Sequence, residues 1–209
     1  MPQGVVCFMH LHLISTGKQT KEQLIDRVIE IHHLIDYIHL RERSWTAQDH
    51  LDAIEGMVGA GVSKHKIIIN DRADVAAAGK LKGFHLASHS IDVSAAKDIF
   101  PNMHIGRSVH SVEEATKKER EGAYYVMYGH IFETKSKPGL APRGLNNLKQ
   151  VARSVSIPTV AIGGIEPTDV ESVFQAGASG IAVLSGILLA EDVKKAAEQY
   201  REKINQLVR

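Results

Sequence analysis

The 209-residue sequence predicts a single-domain (β/α)8 TIM barrel, and three observations carry that prediction. Eight short apolar runs alternate with eight stretches long enough for one helix each, which is the count a closed barrel needs. The turn after the first run reads Ser15-Thr16-Gly17-Lys18, without the G-x-G-x-x-G pattern of an open, doubly wound sheet. The diagnostic glycines come late instead. Gly163-Gly164 follows the seventh run and Ser185-Gly186 the eighth, where phosphate-binding barrels present backbone amides.

Taken in order, the runs predict strands over 11–15, 37–40, 66–70, 83–86, 104–106, 123–128, 159–162 and 180–184. The helices between and after them are expected to begin near Lys21, Thr46, Asp71, Val93, Val112, Gly144, Pro167 and Ala190, several with apolar residues at three- and four-residue spacing. Ser111-Val112-Glu113-Glu114 places a hydroxyl three residues before a carboxylate, the capping-box arrangement that satisfies free amides at a helix start. Glu166-Pro167-Thr168-Asp169 puts proline in a first turn, where its missing amide costs little, and Gly177 is a suitable left-handed stop. No low-complexity tract, linker or repeat divides 1–209, and residues 1–8 read as an N-terminal extension.

Composition narrows the partners. Lys and Arg total 25 against 24 Asp and Glu, with no basic block, so neither a nucleic acid nor an anionic membrane is expected to bind. One cysteine, Cys7, permits neither an intrachain disulfide nor a thiolate cluster, and it sits in an apolar run too short to span a bilayer. A cytoplasmic protein is the expectation. A homodimer stays open, because barrel helices carry apolar stripes whether they pack inward or onto a partner.

The candidate site gathers at the carboxyl ends of the strands, the active face of this fold. His12, Arg41, Glu42, Arg43, Asn70, His85, Ser108 and His130 all fall at or beyond predicted strand ends. Arg41 suits a bidentate grip on an anionic group, unless it pairs with Glu42; Asn70 and Ser108 are placed to contact a ligand. His130 closes an apolar strand before a polar loop, so it reads either as a proton-transfer group or as a packed rim histidine. Gly164, Ser185 and Gly186 are the expected phosphate-binding residues, and no metal or cofactor is expected. The 133–143 loop reads either as a lid or as an ordinary solvated connection.

Several segments also carry a resemblance. Ile38-His39-Leu40-Arg41-Glu42-Arg43, Asn70-Asp71-Arg72, the 104–111 segment, Gly129-His130-Ile131-Phe132-Glu133-Thr134 and Ile162-Gly163-Gly164-Ile165 resemble the TenI-type thiazole tautomerases of thiamine biosynthesis, from about Leu11 to Tyr200. That family is related to thiamine phosphate synthase. The synthase pattern has Gln at His39, Lys at Arg43, a magnesium-binding Asp at Ser90 and Pro at His130, whereas Arg41 matches. The resemblance therefore implies a cofactor-free isomerase that aromatises an exocyclic carboxythiazole phosphate, with His130 moving the proton. A synthase-type transferase and a non-catalytic phosphate-ester-binding protein are the alternatives.

Overall fold

The computed structural model describes residues 9–134 and 139–207. The predicted extension at 1–8, Cys7 included, lies outside the described residues. Eight parallel strands close into a barrel in sequence order: β1 (His10–Ile14), β2 (Tyr37–Leu40), β3 (Ile67–Asn70), β4 (Gly83–Leu86), β5 (His104–Val109), β6 (Tyr125–Gly129), β7 (Thr159–Ile162) and β8 (Gly180–Val183). Closure is made by β8 against β1, in a register that sets His10 opposite Gly180 and His12 opposite Ala182.

The surrounding helices are α1 (Lys21–Ile31), α2 (Ala47–Gly59), α3 (Ala73–Ala78), α4 (Val93–Ile99), α5 (Val112–Arg120), α6 (Gly144–Ser154), α7 (Val170–Gln175), α8 (Ser185–Leu188) and α9 (Val193–Leu207). Their starts are written locally. Thr20 and Gln23 form a reciprocal capping box at α1, and Thr46 and Asp49 do the same at α2. At α5 the expected box forms by half: Ser111 Oγ accepts from the Glu114 amide, but the Glu114 carboxylate accepts from the amide of His110, one residue earlier. Pro167 opens a single 3-10 turn before α7, and Gly177, at φ 94°, ends that helix as expected.

Alternation along each strand sorts the side chains into two cores. Leu11, Leu13, Ile38, Leu40, Ile67, Ile69, Phe84 and Ile105 point outward into the shell beneath the helices, where they meet Leu24, Val28 and Met57. Each such side chain contributes about 1.5–3 kcal/mol by leaving water. The opposite parity fills the barrel. Ile14, Tyr125, Met127, Val160 and Ala182 form a small apolar cluster there, and buried His12, His39 and His85 stand beside it.

The largest difference from the predicted strands is β5, which runs to Val109 rather than stopping at Gly106. Arg107 and Ser108 read as loop residues because they are polar. Both find partners in place: Arg107 Nη1 and Nη2 donate to the carbonyls of Ser88, Ser90 and Ile91, with Nε left unpaired among the described residues, and Ser108 meets His85 on the neighbouring strand β4. A polar residue with its partners in place is compatible with a strand.

Candidate active site

The carboxyl-terminal rim is built strand by strand from backbone geometry. At the end of β1 the Ser15 hydroxyl accepts from the amide of Arg41, tying the first two strand ends together at 2.7 Å. Gly17, at φ 71°, donates its amide to the Glu42 carboxylate, which is buried. Glu42 is thus committed to the β1 turn, and the alternative reading of an Arg41–Glu42 ion pair is not what forms.

Arg41 is the exposed end of that arrangement. Its guanidinium is half-buried; burial, then the like charge of Arg43, lowers its pKa, while Asp71 and Glu42 oppose the shift from a distance. Among the described residues it has no ion-pair contact. Two guanidinium-bearing residues close together and incompletely neutralised make a site that favours an anion.

Across the rim, Asp71 sits in the left-handed region at φ 62° and organises the loop after β4. Its Oδ1 accepts from the Ala87 amide at 3.0 Å and from the Ser90 hydroxyl, while its Oδ2 lies 3.8 Å from His89 Nε2. Arg107 pins the same loop from beneath through its three carbonyl contacts.

Beneath the rim lies a ladder of buried polar side chains. His85 Nε2 meets Ser108 Oγ at 2.8 Å, and its Nδ1 meets the Tyr125 hydroxyl at 3.0 Å. His39 Nε2 meets His12 Nδ1 at 3.0 Å. Burial, reinforced by His85, drives the His39 pKa down to about 3 against a smaller opposing contribution from Asn70. Burial, with His12 and Arg107 adding to it, does the same to His85. Burial, then His39, also lowers His12 well below its usual value, and burial raises Tyr125. All four rings are neutral near pH 7. Among the described residues Asn70 Oδ1 and His39 Nδ1 are buried with no other partner, and the opposing contribution of Asn70 to His39 is a loose hydrogen bond between the two.

The far side of the rim is made by close backbone approaches. A methyl group on Gly163 would meet His130 Cβ at 2.4 Å, and one on Gly164 would meet the Glu133 carbonyl at 2.2 Å. Gly186 is held small by the Tyr200 hydroxyl, 2.7 Å from the place of its absent Cβ. Among the described residues the amides of Gly164, Ser185 and Gly186 take no protein acceptor. The glycines therefore satisfy a packing requirement and leave amides free as well.

His130 joins the rim differently from the expectation. It is 6% exposed, follows a cis peptide bond after Gly129, and its Nε2 meets the Leu140 carbonyl at 3.1 Å. Among the described residues its Nδ1 is buried without a partner. Arg143 reinforces the same turn by donating to the carbonyls of Gly129 and His130. The imidazole is thereby a tie between β6 and the segment that leads into α6.

Of the predicted site residues, the rim brings together Arg41, Asn70, Ser108, His130, Gly164, Ser185 and Gly186. His12 is displaced from the predicted face: it points into the barrel and lines a cavity at the opposite mouth. Arg107 and Tyr125 were missed as organisers. Strand alternation offered one signal, because Tyr125, Met127 and Gly129 share the inward parity, but the identity of the partners is decided across the barrel.

The resemblance implies a magnesium-binding Asp in the synthases at the position of Ser90, and the donors present at that corner decide whether a divalent cation fits. Asp71 is the carboxylate at this corner; its Oδ1 already accepts twice, and Ser90 spends its proton on it. No group of three His, Cys, Asp or Glu residues is arranged to hold a metal among the described residues. A hard cation prefers one or two carboxylates with free lone pairs, and this corner does not offer that set.

Fold and rim together define a (β/α)8 barrel whose polar groups converge at the carboxyl-terminal mouth. The family model described as Thiamine monophosphate synthase matches residues 11–187, so the chain belongs to that family, TMP-TENI. The thiamine-phosphate synthase of Pyrococcus furiosus is 41% identical over 140 residues, 67% of this chain and 68% of that protein. That of Coprothermobacter proteolyticus is 39% identical over 171 residues, 80% of each chain. The solved structure of thiamine phosphate pyrophosphorylase from Pyrococcus furiosus has a TM-score of 0.81 at 30% identity, covering 98% of this chain and 99% of that one. A 3-hexulose-6-phosphate synthase shares the fold at 18% identity, with a TM-score of 0.73.

These relatives overturn the expected thiazole tautomerase, and with it the isomerase class. Proteins 39–42% identical to this chain are thiamine-phosphate synthases, which are transferases. An isomerase would also require His130 as a titrating rim group. In the structure that imidazole is buried and tied to Leu140, which fits the packed-histidine alternative.

Proposed function

We propose that this chain is a transferase of the thiamine-phosphate synthase type, joining a heteroarylmethyl diphosphate to a thiazole phosphate. The carrying observation is the Arg41–Arg43 corner. A carboxythiazole phosphate also carries two anionic groups, but a transferase with two phosphorylated substrates needs one of its two anion sites to bear enough positive charge for a departing diphosphate, which paired guanidinium groups supply. The rim offers two: the guanidinium corner at the end of β2, and the free amides of Gly164, Ser185 and Gly186 after β7 and β8.

In this reading the thiazole phosphate is anchored by the β7–β8 amides, which suit a terminal phosphate. The diphosphate lies toward Arg41 and Arg43, whose charge stabilises it as it departs. The bond between the methylene carbon and diphosphate oxygen breaks with its electron pair going to oxygen. The thiazole nitrogen lone pair forms the new carbon–nitrogen bond, giving a thiazolium. Asn70 and Ser108, above the neutral histidine ladder, are placed to orient the two rings. The reaction is assigned to the cytoplasm, in keeping with the expectation from composition.

The test is product formation from the two phosphorylated substrates, read as diphosphate release, at increasing Mg²⁺ concentrations. Arg41→Ala is expected to lower kcat/KM by about 100-fold, the effect of losing a charged hydrogen-bonding group in the transition state. Absence of diphosphate release from the unaltered protein at every magnesium concentration sinks the proposal.

A further inference from the structure

Asn70 stands at the proposed active rim, and two imidazoles sealed away from solvent stand in line beneath it. Strands β1, β2 and β3 lie side by side, and each sends one polar side chain toward this line: His12, His39 and Asn70. His12 and His39 are 4% and 0% exposed, and they meet through His12 Nδ1 and His39 Nε2 at 3.0 Å. The other nitrogen of His39 and the oxygen of Asn70 are both sealed, and among the described residues each has only the other as a partner.

The donors in this line run one way. A neutral imidazole has a single N–H, so a ring that donates from Nδ1 must accept at Nε2. Asn70 Oδ1 can only accept, which puts the His39 proton on Nδ1. Burial lowers the His39 pKa and Asn70 opposes it, the sign of a carboxamide oxygen accepting from the ring. His39 Nε2 then accepts from His12 Nδ1–H. The end of the carboxamide left over is Nδ2, which has no protein partner among the described residues and, unlike Oδ1, is not sealed; Asn70 is only partly buried. Reversing the line would turn the oxygen outward. A lone-pair acceptor would then face a mouth where Arg41 and Arg43 favour anions, so acceptor would meet acceptor.

We propose that His39, backed by His12, is a positioning residue: it holds the Asn70 oxygen inward, so that Asn70 meets the substrate with N–H donors alone. The substrate's identity, a heteroarylmethyl diphosphate, rests on the reading given above. Asn70 selects an acceptor atom, supplied by a ring nitrogen or by a diphosphate oxygen. Fixing the carboxamide beforehand lowers the cost of ordering it when the ligand arrives. Neither imidazole touches a reacting atom.

The experiment has two readouts. In the unaltered full chain, the ring nitrogen resonances of isotope-labelled histidine are expected to show His39 and His12 both protonated on Nδ1. A proton on His39 Nε2 overturns the proposal, whatever the substrate. The second readout is the affinity for a pyrimidinylmethyl diphosphate and for benzyl diphosphate, which lacks ring acceptors; no transfer is required. His39→Leu leaves nothing to hold the carboxamide and is expected to weaken the pyrimidine compound about tenfold, the effect of one hydrogen bond. His39→Gln keeps a donor for Oδ1 and is expected to recover most of that loss. Unchanged amide resonances at Gly164 and Gly186 show that each variant is folded. A loss shared by benzyl diphosphate assigns the acceptor to the diphosphate, and a loss confined to the pyrimidine compound assigns it to the ring. Unchanged affinity in His39→Leu, or an equal loss in His39→Gln, overturns the positioning role. Failure of both diphosphates to bind the unaltered protein overturns the transferase reading, and the His39 tautomer then decides the positioning role by itself.

Discussion

The shell outside the barrel and the space within it are two cores of opposite character built from the same strands. Outward residues such as Leu11, Ile69 and Phe84 meet helices through apolar contacts alone. Inward residues from those strands include His12, Asn70 and His85, with Ser108 on the strand beside His85 and Tyr125 on the next. The shell derives its stability from removing carbon from water, which does not depend on pH. The interior depends on keeping imidazoles neutral. The fold can therefore be weakened from inside by protons while the outside is unchanged.

The largest expected effect tests that contrast directly. His39 and His85 have folded-state pKa values near 3, against 6.5 for an open chain, so the unfolded state takes up protons first as pH falls. Their depressed values cost nothing above pH ~6.5; stability is lost as pH drops below that toward 3. Two such groups predict a loss of about 5 kcal/mol between pH 7 and pH 4.5, measured by denaturant unfolding. Surface carboxylates with lowered values, such as Asp49, drawn to about 2 chiefly by Thr46, act only below about pH 4, outside this window. His39→Gln should reduce the slope by the share of one imidazole, with His12 and His85 keeping theirs. A flat profile across pH 7 to 4.5 would show that the interior imidazoles accept protons in place.

Phe84→Ala is the counterpart in the shell. The ring is wholly buried and meets Phe100 edge-on at 5.6 Å, so its loss should cost about 4 kcal/mol. That cost should be the same at pH 8 and pH 6, and a strong pH dependence would break the division into two cores. Gly106→Ala sharpens the comparison from within. The added methyl would stand 2.1 Å from Tyr125 Cζ, forcing the ring off His85 at a cost of about 2 kcal/mol, seen as a lowered Tm. The smallest effect lies at the outer surface. Thr20→Ala removes one half of the α1 capping box and should cost about 1 kcal/mol, measured the same way.

Local rules were legible where the chain answers to its neighbours. Thr20-Gln23 and Thr46-Asp49 cap their helices by the same kind of short-range pattern as Ser111-Glu114, and the sequence displays all three. The rim glycines were found by position, but their close contacts with His130 and Glu133 come from another strand and were not visible. His130 illustrates the limit best. Its place at the end of β6 was predictable, whereas the Leu140 carbonyl that occupies its Nε2 is ten residues away on a returning segment.

The sequence by itself determined the alternation of eight strands with helices, the late glycines and the carboxyl-terminal rim, because apolar period, caps and turns act over a few residues. Tertiary structure alone decided which polar side chains share the barrel interior. His12, His39, His85, Tyr125 and Ser108 come from five segments, and inward parity says only that each faces the axis. Closure of β8 on β1 and the register of each pair set their heights, and height determines which hydroxyl meets which imidazole.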